Sequence, residues 1–247
     1  MAVPTSRSPG VELLDVTGLR LVEVDQPPIP AAERIAMDRA WQRQLRANPA
    51  LFDGPVVVCA GVEPDGPGAL LISWVRTTYR FFALRRVPGA TSLLPSLFVC
   101  VVQPADDGRL LVGRASRTGA VPGRWQLPGG SVEPPAEREP LDLAALRRHA
   151  VRELAEETGV TATPDDLSGC LVTRGRNGNV GVVFVAPSRP AAHLRDRFAS
   201  LPADEAARGR EPEFDRIALV GSAAEAADLG PVRADYLEPV VRLTTAR

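Results

Sequence analysis

The sequence is poor in the residues on which several kinds of protein chemistry depend. It has three cysteines and two histidines in 247 residues, and Cys59, Cys100 and Cys170 are far apart with no CxxC pair. That spacing gives neither a disulfide framework nor a structural zinc site, and two histidines do not suit chemistry built on a histidine pair or triad. We expect three reduced, mostly buried thiols, as in a cytoplasmic protein, and we look to carboxylates for the chemistry.

Long apolar runs and an excess of positive charge are also absent. No apolar stretch approaches the roughly 18–20 residues that cross a bilayer. The N-terminus MAVPTSRSPG lacks the basic start and the apolar stretch of a signal peptide. The formal net charge is -1, whereas proteins that bind nucleic acids usually present a basic face. We therefore expect a soluble cytoplasmic protein with no membrane and no nucleic acid among its partners.

Hydrophobic residues make up 45% of the chain, and they recur at intervals that predict both helices and strands. We predict one helix over Ala31–Ala47, a second from about Pro140 to Thr158, and two short helices near the C-terminus. The predicted strands are Val11–Val16, Leu19–Val24, Pro55–Val62, Ala69–Thr77, Leu97–Val102, Leu110–Val112, Cys170–Thr173, Val180–Val185 and Arg216–Val220.

These elements alternate without a strict strand–helix–strand rhythm. The alternation predicts an α/β fold in which helices cover a mixed sheet. A loop around Val87–Ser92 marks the expected division of the chain. It separates a smaller N-terminal α+β region, residues 1–92, from a second domain, residues 93–247.

The second long helix carries a cluster of glutamates. Glu153, Glu156 and Glu157 project together because positions i, i+3 and i+4 share a helix face. Adjacent carboxylates repel each other unless a cation lies among them, and hard oxygen ligands suit Mg²⁺ or Mn²⁺. Arg152 can hold one glutamate by a bidentate pair. A solvent-facing stripe on an ordinary amphipathic helix is the alternative, but the preceding glycine turn at Leu127–Gly130 favours a ligand site.

This segment resembles the signature of the Nudix family. The family pattern is Gly, five residues, Glu, seven residues, and then Arg-Glu-apolar-x-Glu-Glu-x-Gly-apolar. Arg152–Val160 matches its second half in full, and Arg124–Glu133 resembles the usual lead-in. The first half departs from the pattern, because Ala144 stands where the pattern has glutamate and the loop before the helix is longer. The family's upstream glutamate could be supplied by Glu137 or Glu139, or replaced by Asp142.

The resemblance implies a Nudix α/β/α sandwich around a mixed sheet in residues 93–247. It implies an enzyme that uses Mg²⁺ or Mn²⁺ to hydrolyse a nucleoside diphosphate linked to another moiety. The implied metal ligands are Glu153, Glu156, Glu157 and Glu137. The implied catalytic residues are Arg152 and the helical glutamates, with Glu156, Glu157 or Glu213 as the general base. A solvated loop charge is the alternative for Glu213.

Substrate clues come from a second, shorter resemblance. The segments Asn48–Val58 and Leu71–Arg86 are similar to the N-terminal half of Nudix enzymes that split UDP-glucose and UDP-galactose. Tyr79 would then lie near the join between the two halves. The alternative, which the sequence favours, is that Leu51, Phe52, Trp74, Tyr79 and Phe81 simply form a small hydrophobic core. The planar fork of arginine matches two phosphate oxygens, and three arginines fall in or beside loops near the expected cleft. These candidate substrate-binding residues are Arg114, Arg124 and Arg174, each of which could also be a surface charge.

The sequence therefore favours a pyrophosphatase that acts on a small-molecule nucleotide, a nucleoside diphosphate sugar. The alternatives are an ADP-ribose, dinucleotide or nucleoside triphosphate pyrophosphatase. A catalytically silent Nudix module that only binds its ligand is a further alternative, favoured by the displaced upstream glutamate. Many family members dimerise, so a homodimer is an expectation from the resemblance alone.

Overall fold

The computed structural model describes residues 5–8, 10–136 and 139–245, with the backbone alone for residues 5–8. The α-helices in these ranges are α1 (Ala31–Ala47), α2 (Leu143–Thr158), α3 (Ala191–Ala207), α4 (Ala223–Asp228) and α5 (Leu237–Thr245). Two 3-10 helices span Tyr79–Arg86 and Pro164–Asp166. The strands are β1 (Thr5–Ser8), β2 (Val11–Asp15), β3 (Gly18–Glu23), β4 (Pro55–Pro64), β5 (Ala69–Thr78), β6 (Leu97–Pro104), β7 (Leu110–Ala115), β8 (Trp125–Gln126), β9 (Ser168–Arg174), β10 (Val180–Val185) and β11 (Phe214–Val220).

The larger of the two sheets in these ranges has the strand order β1-β2-β9-β10-β6-β7-β11, and β8 pairs with β7 outside this path. Strands β10 and β6 are parallel, whereas their neighbours pair in the antiparallel sense. Strands β6 and β7 form a hairpin, and a hydrogen bond from Ala105 N to Arg109 O closes its turn. The prediction of a mixed sheet is confirmed.

Helices cover both faces of this sheet. Successive side chains of a strand point to opposite faces, so Val99 and Val101 of β6 face one core while Cys100 and Val102 face the other. The first core contains the apolar face of α2, namely Leu146, Ala150 and Leu154. The second contains Leu237, Val240 and Val241 of α5. The α/β/α arrangement predicted for this part of the chain is confirmed.

The N-terminal part of the chain contributes to both sheets. The hairpin β1–β2 extends the large sheet by pairing with β9. A smaller sheet has the order β3-β5-β4, with β3 and β5 parallel. One of its faces packs against Met37 and Trp41 of α1, and the other contributes Ile72 and Trp74 to the core beneath α2. The division of the chain between residues 92 and 93 stays a prediction.

Local signals explain where α2 begins and ends. Asp142 caps the helix, because its carboxylate accepts a hydrogen bond from Ala145 N at 2.7 Å. Gly159 ends it in the left-handed conformation, with φ of 72°. The helix therefore starts at Leu143, slightly later than the sequence predicts. Near the C-terminus the prediction of two short helices is incomplete, because α3 adds a 17-residue helix. Pro202 and the few buried residues of α3 leave little helical pattern to detect.

No helix within the described ranges has both the length and the apolar character that crossing a bilayer requires.

Candidate functional site

The glycine turn before α2 holds Glu157, the most buried glutamate of that helix. Glu157 is 2% exposed, and its Oε2 accepts a hydrogen bond from the backbone nitrogen of Gly129 at 2.6 Å. Gly129 has φ of 151°, and a Cβ there would overlap the carbonyl oxygen of Val99 in β6. Only glycine therefore lets this turn lie against the sheet and donate to Glu157.

Glu153 lies between the same turn and a histidine. A Cβ on Gly130 would lie 2.5 Å from Glu153 Oε2, so the absence of a side chain makes room for the carboxylate. On the other side, His149 Nε2 is 2.9 Å from Glu153 Oε1, one helical turn away. His149 is 8% exposed. His149 was not among the predicted site residues, although its spacing of four residues from Glu153 was a usable signal.

Three glutamates of α2 and one glutamate of the loop before β11 influence one another electrostatically. We call these four carboxylates the acidic cluster: Glu153, Glu156, Glu157 and Glu213. Burial raises the pKa of Glu156, Glu157 and Glu213, and for each of them the charge of Glu153 is the second cause. Glu156 raises the pKa of Glu213 further. Glu213, in the loop before β11, is thus within electrostatic reach of the three helical glutamates. Like charges raise one another's pKa in this way when they share a site.

Arg152 forms its shortest ion pair with Glu133, which was not among the predicted site residues. Its terminal nitrogen donates to Glu133 Oε1 at 2.8 Å and is 3.7 Å from Glu153 Oε1, whereas its Nε is 4.0 Å from Glu156 Oε2. Glu133 stands three residues after Gly130, at the end of the lead-in segment Arg124–Glu133, and that position was the available signal. Of the three candidates for the upstream glutamate, Asp142 is the cap of α2 and Glu139 is exposed. Glu137 lies outside the described residues.

The long loop before α2 is attached to the small sheet. Arg76 of β5 donates to the carbonyl oxygen of Pro135 at 3.0 Å. The backbone nitrogen of Val57 in β4 donates to the carbonyl oxygen of Val132 at 2.8 Å. The N-terminal part of the chain therefore supports the segment that leads from the glycine turn to the acidic helix.

A pocket of about 610 Å³ opens beside Glu213. Its walls come from the N-terminal part, from the loop after β7 and from the loop before β11. The lining residues are Ala50, Leu51, Phe52, Tyr79, Thr118, Gly119, Ala120, Glu211 and Glu213. The side-chain nitrogen of Asn48 donates to Thr118 O at 3.1 Å and so joins two of these walls. Phe52 is 77% exposed, which leaves its aromatic ring available to a ligand.

Of the predicted substrate-binding residues, Arg124 and Tyr79 act on each other electrostatically. Burial raises the pKa of Tyr79 and of Glu157, and the charge of Arg124 opposes the shift in both. Arg124 is thus within electrostatic reach of both the pocket and the acidic cluster. Its guanidinium donates twice to Gln126 Oε1, at 2.9 and 2.6 Å. Tyr79 also contacts Trp41 and Phe82 edge-on, so it serves the small core as well.

The other two predicted arginines have partners of their own. Arg114 of β7 forms a two-point ion pair with Asp215 of β11, at 2.7 and 3.1 Å. Arg174, at the end of β9, is 3.9 Å from Glu12 of β2. For neither arginine does the described part of the chain show a contact with the acidic cluster.

The carboxylates are not gathered around one point. Within the described ranges, no three His, Cys, Asp or Glu side chains converge as a metal ion would require. Glu157 and Glu153 are instead turned to Gly129 and His149. The chemistry of the group nevertheless suits a hard divalent cation, because it offers carboxylate oxygens whose charges oppose one another.

Solved structures of known proteins include several that are similar to this chain at low identity. The MutT protein from Methanosarcina mazei Go1 is 21% identical, over 62% of this chain and 94% of that chain, with a TM-score of 0.41. A Nudix hydrolase from Nitrosomonas europaea is 21% identical, over 60% and 85%, with a TM-score of 0.38. A bifunctional NMN adenylyltransferase/ADP ribose pyrophosphatase from Francisella tularensis, complexed with AMP and a manganese ion, is 13% identical, over 65% and 43%, with a TM-score of 0.39. No curated protein matches the chain.

The family assignment rests on the sequence model of the NUDIX domain, which matches residues 94–220. This range holds the glycine turn, the whole of α2 and all four residues of the acidic cluster. It covers slightly more than half of the chain. The protein therefore belongs to the Nudix family and is a pyrophosphohydrolase.

Proposed function

We propose that the protein hydrolyses, with Mg²⁺, the pyrophosphate linkage of a nucleoside diphosphate sugar. The products are a nucleoside monophosphate and a sugar phosphate. One observation carries the proposal: Glu153, Glu156 and Glu157 share a face of α2, where Gly129 and His149 hold two of them, and Glu213 lines a pocket large enough for a nucleoside. Burial raises the pKa of Glu213, and the charges of Glu153 and Glu156 raise it further. The carboxylates that would bind the metal therefore adjoin the pocket that would bind the nucleotide.

The acidic cluster would hold the metal through Glu153, Glu156 and Glu157. Three carboxylates with opposing charges are stabilised by a divalent cation, and Mg²⁺ prefers such oxygen ligands together with water and phosphate oxygens. When bound, the metal would offset the charge that grows on the phosphate oxygens in the transition state. The Gly129–Glu157 and His149–Glu153 contacts limit the freedom of two of the three ligands before it arrives.

Proton transfer is assigned to Glu213, with Glu156 as the second candidate. Glu213 removes a proton from the water that attacks phosphorus in line with the leaving group. A raised pKa favours this role, since a base with a pKa nearer neutrality takes up a proton more readily. Arg152 holds the turn and the helix together through Glu133 and faces Glu153 and Glu156.

Nucleotide binding is assigned to the pocket beside Glu213. The ring of Phe52 and the partly buried Tyr79 offer aromatic surface on which a base can stack. Arg124 lies within electrostatic reach of both Tyr79 and Glu157, so it suits the diphosphate that joins the base end to the metal end.

A substrate panel tests the proposal. The wild-type chain is incubated with Mg²⁺ and UDP-glucose, UDP-galactose, ADP-ribose, NADH, diadenosine polyphosphates or nucleoside triphosphates, and a phosphatase converts the exposed phosphomonoesters to inorganic phosphate. We expect the highest kcat/KM with a nucleoside diphosphate sugar and loss of phosphate release in EDTA. Turnover of ADP-ribose or triphosphates alone would contradict the sugar assignment, and binding without turnover would favour the silent module.

A further inference from the structure

A buried carboxylate outside the acidic cluster holds an arginine beside it. Glu205, near the end of α3, is 5% exposed. Its two carboxylate oxygens accept from Arg210 Nε at 2.6 Å and from a terminal nitrogen of Arg210 at 2.9 Å. The backbone nitrogen of Arg210 also donates to the carbonyl oxygen of Glu205 at 2.9 Å. Both the backbone and the guanidinium of Arg210 are therefore fixed by one residue.

Arg210 lies within electrostatic reach of two members of the acidic cluster. In the chain, Arg210 directly precedes Glu211 and stands three residues before Glu213, and both of these glutamates line the pocket. Burial raises the pKa of Glu156 on α2 and of Glu213, and the charge of Arg210 opposes both shifts. The arginine that Glu205 holds is therefore at the edge of the pocket, where a substrate with its base in the pocket and its metal at α2 would carry its diphosphate.

The geometry of the guanidinium leaves a donor for a ligand. The pair with Glu205 uses Nε and one terminal nitrogen, and the second terminal nitrogen remains to bind an oxygen. The side chain is about half exposed, so a substrate can reach it. A fixed arginine loses little conformational freedom when it binds, and its planar group matches phosphate oxygens.

We propose that Arg210, positioned by Glu205, binds a phosphate oxygen of the diphosphate substrate. This proposal rests on the proposed function. It adds a second arginine to the diphosphate site: Arg124 stands directly before β8 and the glycine turn, whereas Arg210 stands directly before the pocket residue Glu211. Arg117, in contrast, is 86% exposed and has Glu211 at 3.6 Å as its partner.

A matched variant, Arg208→Ala, distinguishes a purely structural role of the Arg210–Glu205 pair from a role in substrate binding. Arg208 donates to the same carboxylate, to Glu205 Oε1 at 2.8 Å, and is 62% exposed. The charge of Arg208 acts on the pKa of Glu205, whereas the charge of Arg210 acts on the pKa values of Glu205, Glu156 and Glu213. Arg208→Ala therefore removes one ion pair to Glu205 and leaves Arg210 in place, so that a loss confined to Arg210→Ala reports on the ligand.

The test measures binding of inorganic pyrophosphate with Mg²⁺ by calorimetry, alongside turnover of the best nucleotide of the panel. We expect Arg210→Ala to weaken pyrophosphate binding and to lower kcat/KM by about tenfold or more. Arg208→Ala should stay within about twofold of the wild type. Arg210→Lys keeps the charge but loses the planar guanidinium, so its pyrophosphate affinity and its kcat/KM should lie between those of the two alanine variants. If Arg210→Ala does not fold, the comparison of Arg210→Lys with the wild type tests the proposal.

The positioning role of Glu205 has its own readout. Glu205→Gln should raise KM by several-fold with a smaller change in kcat, because it loosens Arg210 without removing it. Equal pyrophosphate affinity in the Arg210 and Arg208 variants, or no affinity in the wild type, would overturn the proposal for Arg210. The wild type could also hydrolyse no nucleotide while Arg210→Ala is the one variant that loses pyrophosphate binding. That result would contradict the proposed function but support Arg210 as part of a phosphate-binding site.

Discussion

The glutamates of the acidic cluster differ in how far each is withdrawn from water. Glu157 is almost fully buried and bonded to the glycine turn, and Glu153 is 13% exposed beside His149. Glu156 is 43% exposed, and Glu213 lies in the pocket wall. The helical spacing predicted that three of them share a face. It could not predict their unequal burial, because that depends on how the turn at residues 129–130 packs over α2.

At the scale of single residues, we predict that Glu156→Gln and Glu157→Gln each lower kcat by about a hundredfold. That loss corresponds to about 2.7 kcal/mol of transition-state stabilisation, as expected if both carboxylates hold the metal. Steady-state kinetics with Mg²⁺ check the prediction, and circular dichroism checks the fold. Glu63→Gln, an exposed glutamate of β4, is the control and should keep full activity. Full activity in both cluster variants would show that the metal site is elsewhere.

The two glycines of the turn should respond differently to alanine. In Gly130→Ala the new Cβ would crowd the Glu153 carboxylate, so we expect activity to fall by about tenfold or more while the fold survives. In Gly129→Ala the Cβ would meet the backbone of β6 at a φ of 151°, and we expect a loss of about 2 kcal/mol in the free energy of unfolding. Urea denaturation and turnover of both variants separate the two effects. Equal stability and equal activity in both would contradict the packing described for the turn.

At the scale of elements, the segments with a regular pattern were predicted best. Helix α1 has the bounds that its apolar spacing predicts, and β10 does too. The two-residue strand β8 was not predicted, because Trp125–Gln126 is too short to show a pattern and forms through pairing with β7. The hairpin β1–β2 shows the same limit, since nothing local in Val11–Asp15 indicates that its partner is β9.

The start of α1 is tied to the loop before β6 by Glu33, and this gives a pH-dependent prediction. Glu33 accepts hydrogen bonds from Thr91 N, Thr91 Oγ and Ser92 N at 3.1, 2.8 and 3.1 Å. The bonds from Thr91 are the main cause that lowers its pKa from 4.5 to about 2. The folded state thus prefers the ionised form, and the stabilisation is present above pH 4.5 and lost as the pH falls through about 2.

We therefore expect Glu33→Gln to be less stable than the wild type at neutral pH and similar to it near pH 2. Chemical denaturation at a series of pH values from 2 to 7 measures the difference, with Glu63→Gln as the exposed control. A constant difference across the whole range would mean that the charge of Glu33 does not stabilise the loop.

At the scale of the whole molecule, the N-terminal part is joined to the rest at several separate places. Strand β2 pairs with β9, Val57 bonds to Val132 in the loop before α2, and Asn48 bonds to Thr118 in the pocket wall. The sequence suggested that this part carries substrate information, through its resemblance around Asn48 and Tyr79. Its attachment to the glycine-turn loop could not be predicted, because residues so far apart along the chain meet only in the fold.

The bond from Asn48 should matter for binding more than for chemistry. Asn48→Ala removes the donor that joins two pocket walls, so we expect KM for the nucleotide to rise by about three- to tenfold with kcat nearly unchanged. Initial rates over a range of substrate concentrations give both constants. A fall in kcat at constant KM would place the effect in the acidic cluster and not in the pocket.

In the function that we propose, the protein breaks the phosphorus–oxygen bond between the two phosphates of a nucleoside diphosphate sugar. The most direct measurement follows the substrate by ³¹P nuclear magnetic resonance, with UDP-glucose, Mg²⁺ and the wild-type chain. We predict that the diphosphate signals are replaced by two phosphomonoester signals, from a nucleoside monophosphate and a sugar phosphate, and that EDTA prevents the change. Signals of free UDP would mean that the sugar bond is broken instead, and an unchanged spectrum would mean that nucleoside diphosphate sugars of this kind are not the substrate.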